Sequence, residues 1–156
     1  MRLALYQPDQ AGNVGTIIRL AACLNVPLDV IEPCGFPFSD RALKRAGMDY
    51  AELAAVTRHA AWGAFAAQLP SRLVLFTTAG ALPLPEAAFD PGDTLLFGSE
   101  SSGVPEEVHE RADLRVRIPQ EAGTRSLNLA VSCGIGLGEA LRQTGGWPGQ
   151  PSGLLR

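Results

Sequence analysis

Short apolar runs at 3–6, 28–31, 53–56, 73–77, 94–97 and 114–118 alternate with stretches of helical spacing along nearly the whole chain. Most of these runs are short and carry apolar residues on both faces, so both faces are expected to be buried. That is the habit of strands in a parallel sheet covered by helices on both sides. Between the first two runs, Ile17, Ile18, Leu20, Ala21 and Leu24 recur at helical spacing. Asp40 is suited to cap a helix that ends at Gly47. Further helices are predicted over 62–69, over 105–112 with Pro105 in the first turn and acids behind it, and over about 126–143. The pattern implies an α/β fold, a mostly parallel sheet flanked by helices, in one domain spanning 1–156, with a Gly/Pro-rich tail loosely ordered from about 145. Ligands on such sheets sit beyond the carboxyl ends of the strands, which points to 7–15, 77–80, 98–103 and 119–125.

Composition narrows the function. With 156 residues, 46% apolar and 19% charged, the chain can bury a core without staples. The apolar start is too short for a targeting segment, and no window reaches the roughly 18 apolar residues of a membrane span, so a cytoplasmic protein without a membrane partner is expected. Cys23, Cys34 and Cys133 form no C-x-x-C pair, and His59 and His109 are isolated, so no metal is expected. The net charge of −3 argues mildly against nucleic acid. Yet Arg41, Lys44, Arg45 and Arg58 fall within 18 residues while much of the acid lies at 86–110, which permits one basic face.

Familiar motifs are missing. Gly12 and Gly15 lack dinucleotide-fingerprint spacing. Gly98 and Gly103 have the spacing of a phosphate loop, but Val104 stands where its lysine belongs. Ser132 sits in a helical pattern with one glycine too few for a nucleophile elbow and no histidine downstream.

Three other segments carry chemistry. In Asn13-x-Gly15-x3-Arg19, Asn13 lies at or near a helix N-cap, Gly15 allows close backbone approach, and Arg19 is placed to clamp a phosphate. In 95–105, a buried strand runs into a loop with Gly98, Glu100 and Gly103, where main-chain groups can line a ligand and the carboxylate can accept hydrogen bonds. In the third, Ile118-Pro119 precedes Ser126-Leu127-Asn128, with Ser126 a candidate N-cap and the Asn128 amide directed into the adjacent pocket.

In order, these segments resemble the three motifs of SPOUT RNA ribose 2′-O-methyltransferases. The blocks at 31–36, 41–50 and 55–59 resemble the small bacterial branch that methylates the wobble ribose, C or U, of leucine tRNAs. The resemblance implies a C-terminal deep trefoil knot and a homodimer with the first and last helices in its interface. It also implies an S-adenosylmethionine pocket from Phe76, Thr77, Thr78, Gly80, Gly98, Glu100, Gly103, Ile118, Ser126, Leu127 and Asn128. Arg19, with Asn13, Ser126 and Asn128, would serve catalysis. Arg19, Arg41, Lys44, Arg45 and Arg58 would hold the anticodon arm of tRNA, with Trp147 either stacking on a base or pinning the tail. Gly134, Gly136 and Gly138 each cost a helix about 1 kcal/mol relative to alanine, which suggests close approach of the knot or of the partner subunit. The competing readings are another tRNA or rRNA ribose, a catalytically silent dimeric RNA-binding protein and, more distantly, a Rossmann oxidoreductase.

Overall fold

Among the described residues, seven parallel strands form one sheet in the order β3-β2-β1-β6-β4-β7-β5. The strands are β1 (Arg2–Tyr6), β2 (Leu28–Ile31), β3 (Val56–His59), β4 (Leu73–Phe76), β5 (Leu82–Pro83), β6 (Thr94–Phe97) and β7 (Leu114–Arg117). The computed structural model describes residues 1–39, 41, 55–79 and 82–149. Burial follows position in the sheet. The central strands β2, β4 and β6 are buried at every residue, whereas β3 and β7, near the edges, expose Thr57, Arg58, Arg115 and Arg117. A strand with a neighbour on each side and helices on both faces has little room for a charge, which is why these runs read as largely apolar, Asp29 of β2 being the exception.

Alternate residues of one strand serve opposite layers. Leu3, Leu5, Val74, Phe76, Leu95 and Phe97 pack with α1 (Ala11–Leu24) and α4 (Leu129–Thr144). Ala4, Tyr6, Leu75 and Leu96 pack on the other face with Phe65 of α2 (Trp62–Ala66) and Val108 of α3 (Glu106–Arg111). Asn25, left-handed at φ 52°, ends α1 by donating its N–H to the carbonyls of Ala21 and Ala22, and Gly145 at φ 64° ends α4. On the second face Asp29 is buried, and its carboxylate accepts from Arg2 at 2.9 and 3.0 Å and lies 2.8 Å from His59 Nε2. A buried carboxylate persists only when its lone pairs are met. Here that need ties β1, β2 and β3 together, and it accounts for His59.

Four expectations change. The run at 53–56 lies largely outside the described residues, and the strand there is Val56–His59, where the β-branched Val56 and Thr57 suit an edge. The two-residue β5 was not foreseen, being too short for periodicity to show. The helices at 62–69 and 105–112 shorten to α2 and α3, with Pro105 at the N-cap. The last helix starts at Leu129 with Asn128, not Ser126, as its cap, because the Asn128 Oδ1 accepts from the N–H groups of Ala130 at 2.9 Å and Val131 at 3.3 Å. The helix expected between Asp40 and Gly47 lies almost wholly outside the described residues.

Candidate active site

The strand order has one switch point where a ligand site is expected. From β1 the chain moves to β2 on one side, whereas from β6, the other neighbour of β1, it moves to β7 on the far side of β4. The loops after β1 and β6 therefore diverge and leave a crevice at the carboxyl ends of the strands. A cleft of about 390 Å³ lies there.

Its floor is apolar. Phe76 and Phe97 stack at 4.5 Å between centroids and 14° between planes, beside Val116 and Leu129. Gly136 of α4 lies directly beneath. A Cβ there would stand 2.7 Å from Cε1 and Cζ of Phe76, so only glycine lets the helix seat against the rings. The rim is a tight loop in which Ser99 and Gly103 exchange both main-chain hydrogen bonds at 3.0 Å. Each of its glycines has a physical reason. Gly103 is left-handed at φ 65°, and a Cβ on Gly98 would lie 2.6 Å from the Gly103 carbonyl carbon.

A directed chain of hydrogen bonds joins the three sequence segments. Asn128 Oδ1 is committed to the helix N–H groups, so its Nδ2 donates to Asn13 Oδ1 at 2.9 Å. Asn13 Nδ2 then donates to Glu100 Oε1 at 2.8 Å, and the N–H of Asp9 donates to Glu100 Oε2 at 2.7 Å. Each amide orientation follows from the one before it, and the chain closes only on a carboxylate, an acceptor at both oxygens. The Asn128 amide is thus spent largely on bracing, and Asn13, expected near the N-cap, is the third residue of α1, behind Gln10. Asn128→Ala removes the cap and the donor to Asn13, and is expected to lower stability by about 1 kcal/mol in urea unfolding.

Ten of the residues expected at the cofactor line the cleft: Phe76, Thr77, Thr78, Gly98, Glu100, Gly103, Ile118, Ser126, Leu127 and Asn128. Asn13 lines it too, and Gly80 lies outside the described residues. Gln10 and Gln120 line the cleft as well, within the 7–15 and 119–125 segments expected beside the ligand, whereas sequence reasoning missed Val104 and Ser132 and the floor residues Phe97, Val116 and Leu129. Ser132 had a signal, standing one helical turn beyond Asn128 on the same face.

The proposed RNA-binding residues lie elsewhere. Arg19 is on the exposed face of α1, about 9 Å along the axis from Asn13 by helical rise, and is not part of the cleft wall. Arg58 donates to Glu32 at 2.7 Å and rests 4.6 Å over the Phe38 ring. Arg41 is exposed, and Lys44 and Arg45 lie outside the described residues. Trp147 lies against α4, its Cζ2 atom 3.9 Å from where a Gly138 Cβ would be, which favours pinning the tail. The thiols offer no nucleophile in the cleft. Cys23 is exposed, burial and then Glu32 push the Cys34 thiol up to about 11, and burial also raises that of Cys133. Among the described residues no cluster of His, Cys, Asp or Glu is placed to hold a metal, and no helix is long and apolar enough to cross a membrane.

Residues 1–138 match the model of the SpoU rRNA Methylase family. The chain is 51% identical over 150 residues to the tRNA (cytidine(34)-2′-O)-methyltransferase of Ancylobacter novellus, covering 94% of this chain and 95% of that protein. A solved structure described as giving structural insights into the 2-OH methylation of C/U34 on tRNA superposes with a TM-score of 0.85 at 45% identity, covering 91% of this chain and 94% of the other. An AdoMet-bound rRNA methyltransferase from Sinorhizobium meliloti aligns with a TM-score of 0.81 at 30% identity, over 90% of this chain and 55% of that one. With the family model matched over most of its length, and with its three motifs joined around one cleft, the chain belongs to the SpoU methylase family.

Proposed function

We propose that the protein transfers a methyl group from S-adenosylmethionine to the ribose 2′-hydroxyl of nucleotide 34, C or U, in tRNA, with leucine isoacceptors as substrates. The observation that carries this reading is the near full-length similarity to a tRNA (cytidine(34)-2′-O)-methyltransferase, together with a cleft built from all three motif segments. A second reading, a silent RNA-binding protein, is disfavoured by the intact chain from Asn128 through Asn13 to Glu100.

The cleft fits the donor. The stacked Phe76 and Phe97, with Val116 and Leu129, offer an apolar floor for a purine, and the 98–103 and 118–128 segments bring main-chain groups to the rim. Glu100 supplies negative charge toward a cationic ligand. When bound, S-adenosylmethionine supplies an electrophilic methyl group on a sulfonium. The chain's own residues do the rest. Ser126 orients the donor or the target ribose, Asn128 does so through its bracing of Asn13 and of the start of α4, and the walls keep water from the reacting oxygen. Arg19 grips a phosphate next to the target and stabilises the developing alkoxide, since a guanidinium keeps its proton and is a poor base, and the hydroxyl proton leaves to phosphate or water. Arg41, Lys44, Arg45 and Arg58 hold the anticodon arm, which makes binding salt-sensitive.

The homodimer and the knot belong to the same reading. Val131 and Ile135 are exposed one turn apart on α4, a ready apolar stripe for a partner helix. Gly134, whose added Cβ would meet nothing within 4 Å in the protomer, lies beside them. The interleaved sheet order, with β6 between β1 and β4, supports threading of the segment that leads to α4. Calorimetry tests the cleft directly. S-adenosylmethionine is expected to bind and a nicotinamide dinucleotide is not; the reverse would overturn the proposal.

A further inference from the structure

The polar chain continues past Glu100 to Asp9, which lies outside the cleft wall and has no part in the reading so far. Two contacts run between Asp9 and consecutive residues of the rim loop, in opposite senses. Its main-chain N–H donates to Glu100 Oε2 at 2.7 Å, and its own Oδ2 accepts the main-chain N–H of Ser101 at 2.8 Å. The loop is thereby held by its side chain at one residue and by its backbone at the next. This is a two-point clamp that fixes both the place of Glu100 and the turn of its carboxylate.

Behind the clamp the backbone of Asp9 is also fixed. Gly35 donates its N–H to the Pro8 carbonyl at 2.9 Å, and a Cβ on Gly35 would stand 2.9 Å from the Cα of Asp9. Gln7, just before, is left-handed at φ 45° and donates its N–H to Ile31 at 2.9 Å. Asp9 is thus wedged between the loop after β2 and the rim of the cleft. A residue held this closely from behind can transmit that rigidity to the loop it grips in front. Two carboxylates are tolerated so near each other because each accepts a main-chain N–H.

We propose that Asp9 is a positioning residue for the methyl donor. By clamping Glu100 and Ser101 it keeps the 98–103 loop in the shape that receives the donor, and it sets donor affinity without touching the ligand. The inference rests on the reading of the cleft as the S-adenosylmethionine site.

The test compares Asp9→Ala with Asp9→Asn, which keeps an acceptor for the Ser101 N–H. Donor binding is measured by calorimetry, tRNA binding by filter retention, and the Ser101 amide by hydrogen exchange. Asp9→Ala is expected to weaken donor binding about tenfold or more, as loss of a charge-assisted hydrogen bond would. It should also speed exchange at Ser101 and leave tRNA affinity within about twofold. Asp9→Asn is expected to restore donor affinity to within about threefold of wild type. Asp9→Ser, with an arm too short to reach Ser101, serves in place of alanine if that variant fails to fold, and the same loss is expected. Wild-type donor affinity in Asp9→Ala or Asp9→Ser, or an asparagine variant as weak as alanine, would overturn the assignment. A wild-type protein that bound no donor at all would instead sink the reading of the cleft on which it rests.

Discussion

Arg19→Ala is expected to slow methyl transfer by about two to three orders of magnitude while leaving donor affinity within about twofold. The split follows from position. Arg19 stands on the exposed face of α1 and contributes nothing to the wall of the cleft, so the donor has no contact to lose. Its proposed work is on the other reactant, where a guanidinium fork grips phosphate and offsets charge that develops on the ribose oxygen only as the reaction proceeds. Interactions made chiefly in the transition state are read in turnover. Arg19→Lys keeps the positive charge and loses the fork, so a loss of about tenfold or more is expected from it as well. Single-turnover rates with labelled donor, alongside donor titrations, separate the two effects. Near-normal turnover in the lysine variant would contradict bidentate positioning.

Gly136→Leu is expected to damage fold and site together. Even the first added carbon would stand 2.7 Å from Phe76 and 3.2 Å from Phe97, and these two rings are the stacked floor of the cleft. Alanine would return about 1 kcal/mol of helix propensity, but overpacking a closed core costs about 1–3 kcal/mol. The second effect wins at this position. With leucine the rings must turn into the cleft, the proposed site of the donor. Stability is expected to fall by about 3 kcal/mol, and donor affinity by about tenfold or more, in urea unfolding and calorimetry respectively. The expectation that all three α4 glycines face the knot or a partner is thereby sharpened. Gly136 answers to the protomer's own aromatic floor, Gly138 to Trp147, and only Gly134 is left for a surface beyond the protomer.

Much of the architecture was legible because burial acts locally. A strand covered on both faces admits few polar residues, and β4 carried that signature at all four positions, with one exception each in β2 (Asp29) and β6 (Thr94). The rim glycines were legible as a place of close approach, though not which carbonyl each one met. The start of α4 was not. Ser126 and Asn128 are both good caps, and the choice falls to Asn128, whose amide also reaches Asn13, 115 residues away. No local pattern holds that contact. For the same reason Asp9 was not singled out within the 7–15 segment. Its part depends on Ser101, 92 residues on. Arg58 read as part of a basic face, yet it is paired with Glu32 and stacked on Phe38, because β3 lies beside β2 in the sheet.

The central claim is tested most directly by the position of the methyl group. Bulk tRNA from a strain lacking this enzyme would be incubated with the protein and methyl-labelled S-adenosylmethionine, then digested and sequenced by mass spectrometry. The account predicts a single new label on the ribose 2′-oxygen of nucleotide 34, C or U, in leucine tRNAs. A label on a base, on a ribose elsewhere in the tRNA, or on ribosomal RNA alone would contradict it.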